Sequence, residues 1–137
     1  MRKAFLILTS FFTISLFSQN ITWQNVNLNV PFENTQAVFN LIDGFYSNIE
    51  IPEGIRVSLW NIEYKGSGEK ATHVLNFAGT KENLVEFESR KLTSEWDAYL
   101  TKLNSLTNRD GFSVTAGVTL VRYLSLIHIS EPTRPLS

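Results

Sequence analysis

The sequence predicts an α+β fold in which two helices cover one face of a four-stranded antiparallel sheet. Three observations predict it: a glycine-rich loop joins two apolar runs near the middle, an amphipathic helical segment flanks this pair on each side, and an alternating apolar segment lies at each outer end. The element order is therefore β-α-β-β-α-β. Because each β-α-β crossover is right-handed, both helices fall on one face, and the predicted strand order is 4-1-3-2.

The central pair consists of Ile55–Tyr64 and Ala71–Ala78, joined by the hexapeptide KGSGEK. Glycine reaches the backbone angles that reverse a chain without steric cost, so this loop predicts a β-hairpin. In the first arm, Val57 and Leu59 share one face and Trp60 lies on the other. Both arms therefore carry apolar residues on both faces.

The first strand is predicted from alternating apolar residues that begin at Ile21 and Trp23. The alternation changes phase before Val26 and Leu28. This change predicts a β-bulge near Gln24.

Two helical regions follow from apolar residues at helical spacing. The first begins after Asn34, a predicted N-cap, and its stripe holds Ala37, Val38, Leu41, Ile42, Phe45 and Tyr46. The second begins after Thr80 and starts afresh at Ser94, where Asp97 completes a predicted capping box. Its second stripe holds Trp96, Tyr99, Leu100, Leu103 and Leu106.

The last strand alternates strictly from Phe112 through Val118. The covered face of the sheet is predicted to pack seven side chains: Val38, Leu41, Phe45, Leu84, Trp96, Leu100 and Leu103. The opposite, open face should meet water, yet several strands carry large apolar residues on both sides. We therefore expect the open face to be covered by a partner surface.

Length and composition restrict the function classes. The 137 residues suffice for one domain, and 12 basic against 13 acidic side chains give a net charge of −1, with no basic block that would indicate nucleic acid binding. The absence of cysteine excludes disulfides and thiolate chemistry. The sequence has neither a phosphate-binding loop nor clustered metal ligands, so we expect no metal and no cofactor.

The folded domain is predicted to span residues 19–123. Residues 1–18 combine a basic start with a short apolar run, which predicts a secretory signal peptide, with an N-terminal membrane anchor as the alternative. The leader resembles those of secreted Bacteroidetes proteins, so we expect a periplasmic or secreted protein with no membrane contact after cleavage. Residues 124–137 resemble the translation of a transposase-based sequencing adapter and its index, which predicts that the chain is a truncated part of a longer parent protein.

Between Ile21 and Tyr123, the element order and apolar pattern resemble the dimeric α/β-barrel superfamily, which has the ferredoxin-like fold. In that superfamily, sheets pair face to face between two chains or two tandem repeats. The resemblance therefore implies self-association, or pairing with a missing second repeat. The superfamily includes cofactor-free monooxygenases and haem-degrading enzymes, which use Asn, Trp and His side chains in a pocket between sheet and helices.

The matching residue types supply three candidate ligand-binding residues, Trp60, His73 and Asn76, and no catalytic residue. The simpler explanation of His73 is a strand histidine that is hydrogen-bonded or lies at a sheet edge. The leading hypothesis is a non-enzymatic exported module that associates through its sheet face and holds a small apolar ligand between its layers. The alternatives are a monooxygenase-like or haem-active enzyme and a structural adaptor of the cell envelope.

Overall fold

The computed structural model describes residues 20–91 and 93–121. Its elements follow the predicted order, with a short helical turn before the first helix and the second helical region divided in two. They are β1 (Thr22–Asn29), a 3₁₀ turn (Phe32–Asn34), α1 (Thr35–Asn48), β2 (Arg56–Asn61), β3 (His73–Gly79), α2 (Lys81–Ser89), α3 (Ser94–Leu106) and β4 (Asn108–Val118). The predicted signal peptide and the adapter-like tail lie outside the described residues. Among the helices of the described part, none has the length and hydrophobicity needed to span a membrane.

The four strands form one sheet in the order β2-β3-β1-β4, and every neighbouring pair is antiparallel. This is the predicted order 4-1-3-2 counted from the other edge, so the predicted topology is confirmed. The central strands β1 and β3 have a neighbour on both sides, whereas β2 and β4 form the edges. The helices pack together on one face, as right-handed crossovers require.

The core lies between the helices and the covered face of the sheet. Its four largest fully buried side chains are each 1% exposed and come from β1, α1, β3 and α2: Leu28, Val38, Phe77 and Phe87. Three of the seven predicted core residues are buried, and the other four pack against them partly buried; the buried ones are Val38, Leu84 and Leu103. The helices also bury two tyrosines, Tyr46 and Tyr99.

The strand β1 runs straight through the position where the sequence predicted a bulge. Trp23 and Val26 belong to one continuous antiparallel register with β3. The apolar pattern changes phase because Trp23 lies on the open face while Val26 lies on the covered face. The irregularity of β1 lies further along, between Asn27 and Asn29 where it pairs with β4.

The structure corrects the caps predicted for α1 and α3, whereas Thr80 does cap α2, since its Oγ1 accepts from the N–H of Asn83 at 3.2 Å. Asn34 precedes α1, but its Nδ2 donates to the carbonyl oxygen of Leu106 at the end of α3, 3.0 Å away, and makes no capping bond. The cap of α3 is Thr93, whose Oγ1 accepts from the Trp96 N–H at 3.2 Å, one residue before the predicted Ser94. The extended backbone of Thr93 aims its hydroxyl at the first helical turn, as an N-cap requires.

The open face is chiefly polar, which corrects the expectation of a largely apolar surface. Its side chains alternate with those of the core along each strand: Trp23, Asn25, Asn27, Arg56, Ser58, Trp60, Val74, Asn76, Ala78, Ser113, Thr115 and Gly117. The expectation was wrong because β1 and β4 turn their aliphatic residues toward the helices and present amides and hydroxyls outward. Among these twelve residues, Trp23 and Trp60 are the largest apolar side chains, and Val74 and Ala78 are smaller apolar ones.

Candidate functional site

Two hollows, one on each face of the sheet, contain the candidate functional side chains. The first, which we call the interlayer cavity, has a volume of about 510 Å³ and lies between α3 and the covered side of β1 and β4. The second, the open-face groove, has a volume of about 800 Å³ and crosses β2, β3 and β1 on the open face.

The interlayer cavity exists because α3 leaves part of β4 uncovered. Phe112 and Val114 point to the helix side of β4 but remain 52% and 51% exposed, so they form its mouth. The deeper walls are aliphatic and aromatic and include Val26, Leu75, Phe77 and Leu103. An apolar hollow of this size is large enough for a small molecule.

Two tyrosine hydroxyls give this cavity its polar character. Tyr46 comes from α1 and Tyr99 from α3; both side chains line the cavity, and they are only 8% and 3% exposed. Neither hydroxyl has a hydrogen-bond partner among residues 20–91 and 93–121. Their rings meet edge to face with centroids 5.8 Å apart, and Phe45 stacks on Tyr99 at 4.2 Å. Aromatic packing therefore holds both rings in place.

Burial keeps both hydroxyls protonated. Burial raises the pKa of Tyr99 to about 12, although the neighbouring Tyr46 hydroxyl acts in the opposite direction. Burial raises the pKa of Tyr46 further still, with the neighbouring Tyr99 and Glu88 acting in the same direction. At neutral pH, both groups are therefore hydrogen-bond donors and not bases. Because a buried polar group without a partner costs about 1–3 kcal/mol, two such groups in one cavity indicate a place for a ligand atom.

A paired ammonium lies beside these hydroxyls. Nζ of Lys91 lies 4.4 Å from the ring centre of Phe77 and 4.8 Å from that of Trp96, and it forms an ion pair with Glu88. The aromatic faces and the carboxylate together balance its charge. The tyrosine hydroxyls are thus the donors at this wall of the cavity that still lack a partner.

The open-face groove, by contrast, contains polar groups that satisfy each other. Nδ2 of Asn76 donates to Oδ1 of Asn25 at 2.7 Å, and Asn76 is only 4% exposed. At one end the indole of Trp23 lies directly over Gly117, where an added Cβ would meet the ring at 2.6 Å. Trp60 stands at the β2 edge of the groove and is 47% exposed.

The three candidate residues predicted from the sequence do not converge on one site. Trp60 and Asn76 both line the open-face groove. His73 lies on the covered side at the beginning of β3, and its Nδ1 is 2.8 Å from Oγ1 of Thr72. Burial, and then the nearby Lys65, lower the pKa of His73. Ligand binding by these three residues stays a prediction.

Sequence reasoning missed Tyr46 and Tyr99 because it counted both as members of apolar stripes. The available signal was the residue type, since a phenol on a core stripe needs a partner for its hydroxyl. Trp96, predicted as a core residue, does pack against the core, and it also lines the interlayer cavity. No group of three or more potential metal ligands occurs among the described residues.

Comparison with known proteins bears on the fold. No protein-family model and no curated protein match the chain. Among solved structures, a conserved protein from Methanosarcina mazei Go1 is similar with a TM-score of 0.56 and 9% identity, over 72% of this chain and 92% of that one. A protein of unknown function from Bacteroides thetaiotaomicron VPI-5482, described as a "possible oxidoreductase", has a TM-score of 0.53 and 10% identity, over 74% and 100%.

A dimeric ferredoxin-like protein of unknown function from Jannaschia sp. CCS1 aligns with a TM-score of 0.46 and 12% identity, over 74% of this chain and 99% of that one. The chain has the ferredoxin-like fold, because its elements follow the order β-α-β-β-α-β and its strands the order 4-1-3-2. At these identities the likeness shows the fold alone, so the function must be argued from the chain's own residues.

Proposed function

We propose that this chain is a binding module that holds a small, largely apolar molecule in the interlayer cavity. The observation that carries the proposal is the pair of buried hydroxyls, Tyr46 and Tyr99, that lack partners among the described residues in an apolar hollow of about 510 Å³. Ligand sites typically combine apolar walls with a few converging polar groups. Because both phenols have raised pKa values, they favour binding over proton abstraction.

A cavity-filling variant tests this proposal. Val114→Phe adds a ring at the cavity mouth, and we expect it to weaken the binding of N-phenyl-1-naphthylamine by about tenfold or more, as measured by equilibrium dialysis. Val85→Phe is the matched control, because Val85 lies on α2 and is 62% exposed. Equal affinity in both variants, or no saturable binding by the unaltered chain, contradicts the proposal.

We also propose that the open face pairs with a second copy of this chain. Trp60 projects from the same face as a recess bordered by Trp23 and Ala78. A projecting side chain beside a recess on one face suits a twofold interface, in which each copy supplies both parts. Asn27 and Ser113 lie on this face too, so we expect an interface that includes water.

The oligomeric state of the full chain, measured by light scattering after gel filtration, tests the pairing. Trp60→Ser should shift a dimer toward monomer because it removes the projecting indole. Phe39→Ser is the control, since Phe39 lies on α1 and is similarly exposed at 51%. A monomeric unaltered chain contradicts the pairing and leaves the cavity proposal intact. The oxygenase and envelope-adaptor alternatives gain no specific support from the described residues.

A further inference from the structure

We infer that the molecule bound in the interlayer cavity is a ring compound without a positive charge whose acceptor oxygen is held by the hydroxyls of Tyr46 and Tyr99. This inference rests on the proposed function and specifies the chemistry of its ligand. Three features of the cavity lead to it: the unpaired hydroxyls, the charges beside them and the aromatic walls.

The two buried hydroxyls are hydrogen-bond donors that a ligand acceptor would satisfy. Tyr46 and Tyr99 come from different helices, yet both line the same cavity, where their hydroxyls lie close enough to influence each other's pKa. Neither forms a hydrogen bond of normal length among the described residues. Their protons stay in place at neutral pH because burial raises both pKa values. Buried donors without a partner are rarer than acceptors with an unused lone pair. A carbonyl oxygen, with two lone pairs, accepts from both hydroxyls at once.

The neighbouring charges disfavour a cationic ligand. Lys91 lines the same cavity with its ammonium 4.8 Å from the Trp96 ring, and Glu88 already pairs with it. Arg109 lines the cavity too and adds a second positive charge. A cationic ligand would meet both charges, whereas a carbonyl compound without a positive charge avoids this repulsion.

The aromatic walls favour a flat ring. Tyr99 stacks on Phe45 at 4.2 Å and is tilted against Trp96 with a centroid distance of 5.2 Å. Aromatic groups attract one another in offset and edge-to-face arrangements, so a ligand ring beside Trp96 extends this cluster. Phe112 adds a further ring at the mouth of the cavity.

Two probes with the same carbon skeleton test the inference. 2-Acetylnaphthalene carries a ketone oxygen, and 2-ethylnaphthalene lacks it. We expect the unaltered chain to bind the ketone about tenfold more tightly, as measured by equilibrium dialysis. In the double variant Tyr46→Phe, Tyr99→Phe, this preference should fall to about onefold, while the affinity for 2-ethylnaphthalene stays the same.

The control is Tyr64→Phe, which deletes a hydroxyl from a side chain that is 95% exposed and should leave the preference unchanged. Saturable binding of both probes with equal affinity overturns the inference while the proposed function stands. A preference that survives in the double variant also overturns it, because the hydroxyls are then not the donors. If neither probe binds, the proposed function fails and the inference fails with it.

Discussion

The two faces of the sheet differ in whether their buried polar side chains are hydrogen-bonded. On the open face, the amides find partners across strands: Asn76 donates to Asn25 at 2.7 Å and Asn27 donates to Ser113 at 2.8 Å. On the covered face, where water is excluded, the Tyr46 and Tyr99 hydroxyls have no partner among the described residues. Polar side chains opposite each other on neighbouring strands can hydrogen-bond to one another. A polar group on a helix that packs over the sheet has no such partner, because the covered side of the sheet is apolar there.

This contrast indicates where a ligand is expected. Polar groups that are paired and near water have little to gain from a bound molecule. Polar groups that are buried without partners gain one or two hydrogen bonds in an environment where such bonds are strong. The proposed small-molecule site therefore lies on the covered face, and the proposed contact with a second copy lies on the open face.

The largest predicted difference concerns stability. Phe77→Ala removes a ring that is 1% exposed at the centre of the covered face, so we expect it to lower the free energy of unfolding by about 3–5 kcal/mol. Trp60→Ala, on the open face, removes a larger ring that is 47% exposed and should cost markedly less. Urea denaturation of both variants measures the difference, and equal losses would break the comparison.

The next effect tests pairing on the open face. Asn25→Ala leaves the Nδ2 group of Asn76, a residue only 4% exposed, without its acceptor. We expect a loss of about 1–3 kcal/mol because a buried donor is then unpaired. Ser58→Ala, at a partly buried neighbouring position of the same face, serves as the control. An unchanged free energy of unfolding in Asn25→Ala would show that the amide pair does not stabilise this face.

A change of opposite sign is expected on the covered face. Tyr99→Phe deletes a buried hydroxyl that lacks a partner among the described residues and keeps the ring, so the ligand-free protein should gain about 1 kcal/mol. The same urea experiment measures it. If Tyr99→Phe instead destabilises the chain, the hydroxyl already has a partner, and the contrast between the two faces is lost.

The smallest effect is a dependence of stability on pH. Burial lowers the folded-state pKa of His73 below the ordinary 6.5, so its protonation is less favourable in the folded state than in the unfolded state. The contribution of His73 is therefore present above pH 6.5 and is lost as the pH falls through the lower, folded-state pKa. His73→Gln should flatten the profile below pH 6.5 in thermal denaturation. An identical acid slope in the variant would assign the effect to other groups.

The order of the elements, and the side of the sheet on which strand side chains lie, were predictable along most of the chain. The loop KGSGEK and the strict alternation in β4 depend on neighbouring residues, so they identify a hairpin arm and a strand wherever they occur. The change of phase in β1 misled the prediction, since a regular strand with apolar residues on both faces looks like a bulge. The cap of α3 was misplaced by one residue because Thr93 and Ser94 are both good N-caps in sequence.

The sequence by itself determined the order of elements, the strand order and, outside β1, the face on which most strand residues lie, because these depend on local periodicity and on the handedness of crossovers. Only the tertiary structure decided that α3 leaves part of β4 uncovered and that Tyr46 and Tyr99 meet in one cavity. The two tyrosines belong to separate helices, and whether a hydroxyl finds a partner depends on contacts between distant segments. Periodicity identifies the side of a helix that is buried but not the atoms it will meet there.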